Sequence, residues 1–315
     1  MEIQKEMLQI RYVDLTFTLA MVRDCYWPRN KVSALRGGVG QMLLAQNCIR
    51  DRNCEKCDFE EECLVRRTIY SKYEIQPTFA KHGDSIGYVI ECEDMKEEFQ
   101  EGDRLYFHLL LYGKTIMYFS QFLQAFYMLG QQGVGKDSAQ YQILKVQNEN
   151  GDCVVDGFQA DLQKLGIKTV LHYAQKRFSM VRSEEKNYVL NFQSPTTIKY
   201  ERQFLQEFHS AAVIKSVIRR IFSFDCFEGI EIPYPLLEEF PPMLWQKSYP
   251  VVVRRISSNS GKMELKGLKG QMALGNVSDE LLLFLLAGEK LHIGKNTSFG
   301  FGRYVVHRFR EKGNE

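Results

Sequence analysis

The feature that most narrows the fold of this chain is an ending used twice. In the first half, the helix-like run TIMYFSQFLQAFYMLG (115–130) passes through a glycine turn, GVGKDS, into the strand-like QYQILKVQ. In the second half, a helix-like run over 278–288 passes through AGEK and GKNTSFGFG into RYVVHRF. A strand precedes the helix in both. A β-α-β-β-α-β unit used twice accounts for this order. The expected class is therefore α+β, with two tandem ferredoxin-like (RRM-like) domains at 1–147 and 187–315 and a polar junction at 148–186.

The remaining segments fit that plan. Residues 8–20, LQIRYVDLTFTLA, alternate apolar and polar with many β-branched members and predict a strand. Residues 32–47 predict a helix opened by Asn30 or Ser33, weakened by Gly37, Gly38 and Gly40 unless something packs closely there. Strands are predicted at 86–92 and 103–112, and Gly130 is the expected cap of the helix before it. In the second half, YVLNFQSPTTIKY reads as a strand pair and Arg202 to Phe224 as a long helix. PVVVRRIS and KMELKGLKGQMAL, joined by SNSG, predict a hairpin.

Composition excludes several functions. With 44% hydrophobic and 25% charged residues the chain is not disordered. The longest apolar stretch, Leu281 to Ala287, is too short to span a bilayer. MEIQKEMLQIR lacks the apolar core of a secretory signal, so a cytoplasmic protein without a membrane partner is expected. Net charge is only +2, yet residues 247–315 hold twelve Lys or Arg against six Asp or Glu, leaving −4 on the rest. A basic carboxy-terminal region is the footprint of a polyanion ligand or a solvated lysine-rich face.

Two local patterns carry chemistry. The loop 294–302 places Gly294, Gly300 and Gly302 where the backbone can take conformations closed to other residues, and exposed amides there can form an anion-binding concavity. Lys295 and Arg303 add charge beside it, and Phe299 or Phe301 could stack on a base or simply pack inward. The loop is neither a Walker loop nor a dinucleotide fingerprint, because the glycine spacing of both is absent. On the hairpin, Arg254 and Arg255 are candidate contacts for a polyanion, and because adjacent residues on a strand point to opposite faces only one of the pair is expected to meet it. The second pattern is the insert 48–63, Cys48-x5-Cys54-x2-Cys57-x5-Cys63. Disulfides are not expected in a reducing compartment. Four soft ligands within reach of one ion suit a structural Zn²⁺; an iron–sulfur cluster or no metal remain the alternatives.

GKNTSFGFGRY (294–304) resembles the glycine-rich signature of the RAMP superfamily, and more narrowly that of the CRISPR precursor-RNA processing endoribonucleases. SALRGGVGQMLL (33–44), the four-cysteine segment after it, and RLYFHLLLYGKTIMYFSQFLQAFYMLGQQGVGK (104–136) resemble one subfamily. The likeness is weakest over 148–245. It implies CRISPR repeat RNA as partner and metal-independent cleavage by the ribose 2′-OH, leaving a 2′,3′-cyclic phosphate and a 5′-OH. Its alternative is a non-catalytic RAMP-type subunit that only grips RNA. Transfer of product to effector-complex subunits, and a homodimer, are compatible with it.

Family members place a histidine just after the first helix, and this chain has none before His82. By topology His82 is the expected general acid/base, with Tyr26 and Lys31 beside the first helix as second choices. His292, abutting the glycine loop, faces either RNA or the sheet, and His108 reads as core or sheet.

Overall fold

The computed structural model describes residues 5–52, 54, 57–60, 62–69, 73–79, 85–237, 239–257 and 261–309. They group into two compact units. One comprises Arg11–Ile167 with Arg255–Met263; the other comprises Met1–Ile10, Lys168–Arg254 and Glu264–Glu315.

The first unit runs β1 (Arg11–Met21), α1 (Lys31–Asn47), β2 (Tyr88–Glu91), β3 (Arg104–Tyr112), α2 (Phe119–Gln132) and β4 (Tyr141–Asn148), with β5 (Cys153–Asp156) added at the edge. Its sheet order is β2-β3-β1-β4-β5, with these pairings antiparallel. Alternation along β1 buries Val13, Leu15, Phe17 and Leu19 on one face. Phe17 stacks on Phe107 of β3 at 4.7 Å and meets Phe126 of α2 at 5.1 Å. Asn30 is the cap of α1, its side chain accepting from the Ser33 amide at 3.1 Å. A glycine suits α1 because a Cβ on Gly38 would stand 2.5 Å from Leu129 of α2.

The second unit opens with α3 (Val170–Val181) and continues β6 (Tyr188–Thr196), α4 (Ser210–Glu228), β7 (Met243–Ser257), β8 (Gly261–Leu274), α5 (Asp279–Leu291) and β9 (Tyr304–Arg308). Its order, β7-β8-β6-β9, repeats the second-third-first-fourth arrangement of the first sheet. Both sheets have the ferredoxin-like topology read from the repeated endings. Phe192 stacks on Phe208 and leans on Tyr304 at 5.5 Å, centring this core.

Three boundaries differ from the sequence reading. Gly130 lies inside α2, where a Cβ would meet the Tyr141 carbonyl at 2.5 Å, and the helix ends at Gly133 with φ +93°. Residues 202–209 are not helical: Lys199–Tyr200 pairs with Gln203–Phe204 around Glu201 and Arg202, both at positive φ. The stretch 148–186 holds β5 and the helix α3, which is capped by Thr169 and packs on α5. Among the described residues no helix is long and apolar enough to cross a membrane.

One buried group sets a pH dependence. Asp225, near the end of α4, is 2% exposed, and its Oδ2 has no hydrogen-bond partner among the described residues. Burial pushes its carboxyl up to about 8 from 3.8. A raised folded-state pKa means full stability below pH 4 and progressive loss as pH rises towards 8, at most about 1.4 kcal/mol per pH unit. Asp225→Asn should therefore melt like wild type near pH 4, and at a progressively higher temperature than wild type as the pH approaches 9. Thermal unfolding across that range checks this.

Candidate nucleic-acid interface

The glycine-rich loop leaves α5 at His292, whose φ is +56°. His292 is fully buried, and its Nδ1 lies 2.8 Å from the Phe301 carbonyl. At Gly302 (φ +81°) a Cβ would stand 1.9 Å from the Ile293 carbonyl, and at Gly294 one would stand 2.4 Å from that of Thr197. The glycines thus answer a close approach of the chain to itself. The loop amides are largely spent inside: Lys295 donates to Thr197 O (2.8 Å), Gly300 to Thr297 O (2.8 Å), Gly302 to Pro195 O (3.0 Å) and Arg303 to Ser194 Oγ (2.9 Å). Phe301 is buried and Phe299 half-buried. What the loop offers outward is side-chain charge, from exposed Lys295 and half-exposed Arg303.

Thr197 extends this surface. Its carbonyl accepts from Lys295, and its hydroxyl donates to the carbonyl of Lys266 on β8. Lys266 is exposed, so two lysines flank one threonine at the end of β6. The alternation of KMELKGLK could have identified Lys266. On the hairpin, the Arg254 side chain is 86% exposed and pairs with Glu264 at 3.3 Å. Arg255 is half-buried with its guanidinium against Met263 Sδ at 3.2 Å, and burial together with Arg36 lowers its pKa. Of the two arginines, Arg254 faces water.

The acid/base candidates distribute unevenly. His82 lies outside the described residues. Tyr26 and Lys31 both meet the segment 94–99, because Cys25–Tyr26 pairs with Glu98–Phe99. The exposed Tyr26 hydroxyl donates to Glu97 at 2.5 Å, which raises its pKa. Lys31 is 1% exposed; its ammonium donates to the Lys96 carbonyl and lies 3.9 Å from Asp94. Burial lowers its pKa, with Asp94 opposing. His108 is in the sheet but not in its core, with its ring half exposed and Nδ1 3.1 Å from Asp14 Oδ1.

Cys48, Cys54, Cys57 and Cys63 are free, half-exposed thiols. Burial raises the Cys54 thiol, with smaller contributions upward from the Cys63, Cys48 and Cys57 thiols and downward from Arg66. Among the described residues no three His, Cys, Asp or Glu side chains are arranged to hold a metal ion.

Residues 8–165 match the family model AF_1859_N, an N-terminal domain, and residues 190–304 match the CRISPR-associated endoribonuclease Cas6 model, across the loop just described. Over residues 190–304 the chain is thus similar to the Cas6 endoribonucleases, and over residues 8–165 to the AF_1859_N domain. A partial Cas6-RT-Cas1–Cas2 complex superposes with a TM-score of 0.55 at 12% identity, covering 97% of this chain and 47% of that one. The chain thus spans about half the length of that protein. A Cas6 product complex gives 0.52 at 15%, covering 94% and 99% of the two chains. A Thermus thermophilus Cas6 gives 0.50 at 13%, covering 94% and 98%. At these identities the likeness is one of fold. No curated protein matches the sequence.

Two substitutions separate the loop's shape from its charge. Lys295→Ala should melt like wild type, weaken RNA binding and lower the slope of log affinity against log salt by about 0.7–0.9, one phosphate contact. Gly302→Ala should cost at least about 1–3 kcal/mol, because its backbone conformation is strained for any side chain. Calorimetry and RNA titration at several salt concentrations check both.

Proposed function

We propose that this chain is a metal-independent endoribonuclease that matures CRISPR transcripts. It cuts repeat RNA by attack of a ribose 2′-OH on the adjacent phosphate, leaving a 2′,3′-cyclic phosphate and a 5′-OH. The observation that carries the reading is the Lys266–Thr197–Lys295 surface with Arg303, in the half of the chain that matches the Cas6 model. Cations there meet phosphates and fix the register of the strand. The cut itself needs a base for the 2′-OH, an acid for the leaving 5′-oxygen and positive charge for the phosphorane. His82 is the proposed base. Lys31, its pKa lowered by burial, is a proton carrier once released from the Lys96 carbonyl.

One observation favours a second reading, a RAMP-type subunit that grips RNA without cutting it. Both the Tyr26 hydroxyl and the Lys31 ammonium are already engaged within the protein. A denaturing gel with EDTA, using repeat RNA and a copy 2′-deoxy at the scissile nucleotide, separates the two. The first reading expects the RNA alone to be cut, ending in a cyclic phosphate, and His82→Ala to slow it by about 10²–10⁴. Tight binding with no cleavage of either supports the second.

The proposal includes a structural zinc on Cys48, Cys54, Cys57 and Cys63, supported by the soft donor set within sixteen residues of sequence. Four thiolates leave no position for water, so such an ion stands apart from the chemistry. Elemental analysis should find one zinc per chain, lost in Cys57→Ser; metal-free protein as purified would refute it.

A further inference from the structure

The first sheet has a second face that none of the chemistry above uses. Since Leu15 and Phe17 point into the core, Asp14, Thr16 and Thr18 lie on the opposite side. The register sets Thr16 between His108 of β3 and Gln147 of β4, and on the next rung Thr18 between Tyr106 and Lys145. His108 Nδ1 is 3.1 Å from Asp14 Oδ1 and 3.4 Å from Thr16 Oγ1. The His108 side chain is 45% exposed against 13% for Asp14. One rung away, Tyr106 is 49% exposed. A carboxylate on one imidazole nitrogen fixes the orientation of the ring. An oriented imidazole, an amide and an accessible aromatic ring on adjacent rungs match the face and edge of a nucleobase.

We infer that this face binds unpaired RNA nucleotides, with a base stacked on Tyr106 and its edge hydrogen-bonded by His108 and by Oε1 of Gln147, whose Nε2 donates to the Gly151 carbonyl at 2.9 Å. Asp14 is the positioning residue for the His108 ring. The inference rests on the RNA-processing reading above and extends it to a surface that reading leaves unused. A duplex presents no free base face, so the ligand is single-stranded. Charge also separates this surface from the glycine-rich loop. Lys145 stands across from Asp156, and Glu91 across from His108, so the face holds little net positive charge. Its grip comes from stacking and base-edge hydrogen bonds, and its affinity should vary little with salt.

The test is fluorescence anisotropy of the full-length protein with a short unstructured RNA, at low and physiological salt, beside repeat RNA without unpaired flanks. Tyr106→Ala should weaken the unstructured RNA about tenfold with its melting temperature unchanged. Tyr106→Phe, which keeps the ring, should bind like wild type, and His108→Gln should weaken binding. Repeat RNA should bind all three variants equally. If Tyr106→Ala holds the unstructured RNA as wild type does, the inference is overturned. It is also overturned, with the processing reading intact, if wild type binds the repeat but not the unstructured RNA. Binding of neither by wild type overturns both.

Discussion

The glycine-rich loop of the second domain is anchored beside a buried carboxylate. Glu289 accepts two bonds from Arg177, at 3.0 and 3.1 Å, one from the Tyr173 hydroxyl at 2.6 Å and one from the Val306 amide at 2.6 Å. With every partner in place the charge is fully compensated; removing one would leave an uncompensated buried charge, a loss of about 3–5 kcal/mol. The group ties α3, α5 and β9 together. The glycine-rich loop is therefore strung between two fixed points, the end of α5 and the start of β9. Its glycines let it lie against the end of β6, and the backbone that carries its lysine and arginine is already ordered before binding.

Grip and chemistry are supported differently in this molecule. The cationic surface is pre-formed: its backbone bonds are made within the protein and its side chains face water. The proton-transfer candidates are not arranged in that way. Tyr26 and Lys31 share the segment 94–99 with three carboxylates and are bonded to it. A lysine whose pKa is lowered by burial is suited to proton transfer, but only after its hydrogen bond is exchanged for one to the substrate. Catalysis by this pair would thus require the RNA to compete with Glu97 and the Lys96 carbonyl.

The sequence held more of the fold than of the site. The two sheets were legible because each strand buries one face, so alternation in LQIRYVDLTFTLA and RYVVHRF reports it directly, and the repeated endings gave the order. The helix α3 was missed although Thr169, Val170, Ala174 and Val181 carry a cap and a helical spacing, because the polar residues between them resemble a linker. The glycine loop was found, but its purpose was misjudged in part: spacing shows where a Cβ cannot be tolerated, not whether the close neighbour is a ligand or the chain's own Ile293 and Thr197 carbonyls. His108 reads as core or sheet in FHLLLY, and it is in the sheet, on strand Arg104–Tyr112. Only the cross-strand register, which sets it beside Thr16 and within reach of Asp14, reveals an exposed, oriented ring.

The central claim is that RNA is held by the lysine-bearing surface around Thr197. Footprinting of lysine reactivity by mass spectrometry, on the full-length protein with and without saturating repeat RNA, tests it most directly. The account predicts that Lys295 and Lys266 lose reactivity when RNA binds, while Lys164, exposed in the other unit and paired with Asp161, does not change. If the protein is saturated with RNA while Lys295 and Lys266 remain as reactive as in the free protein, the surface is not the RNA grip and the account is contradicted.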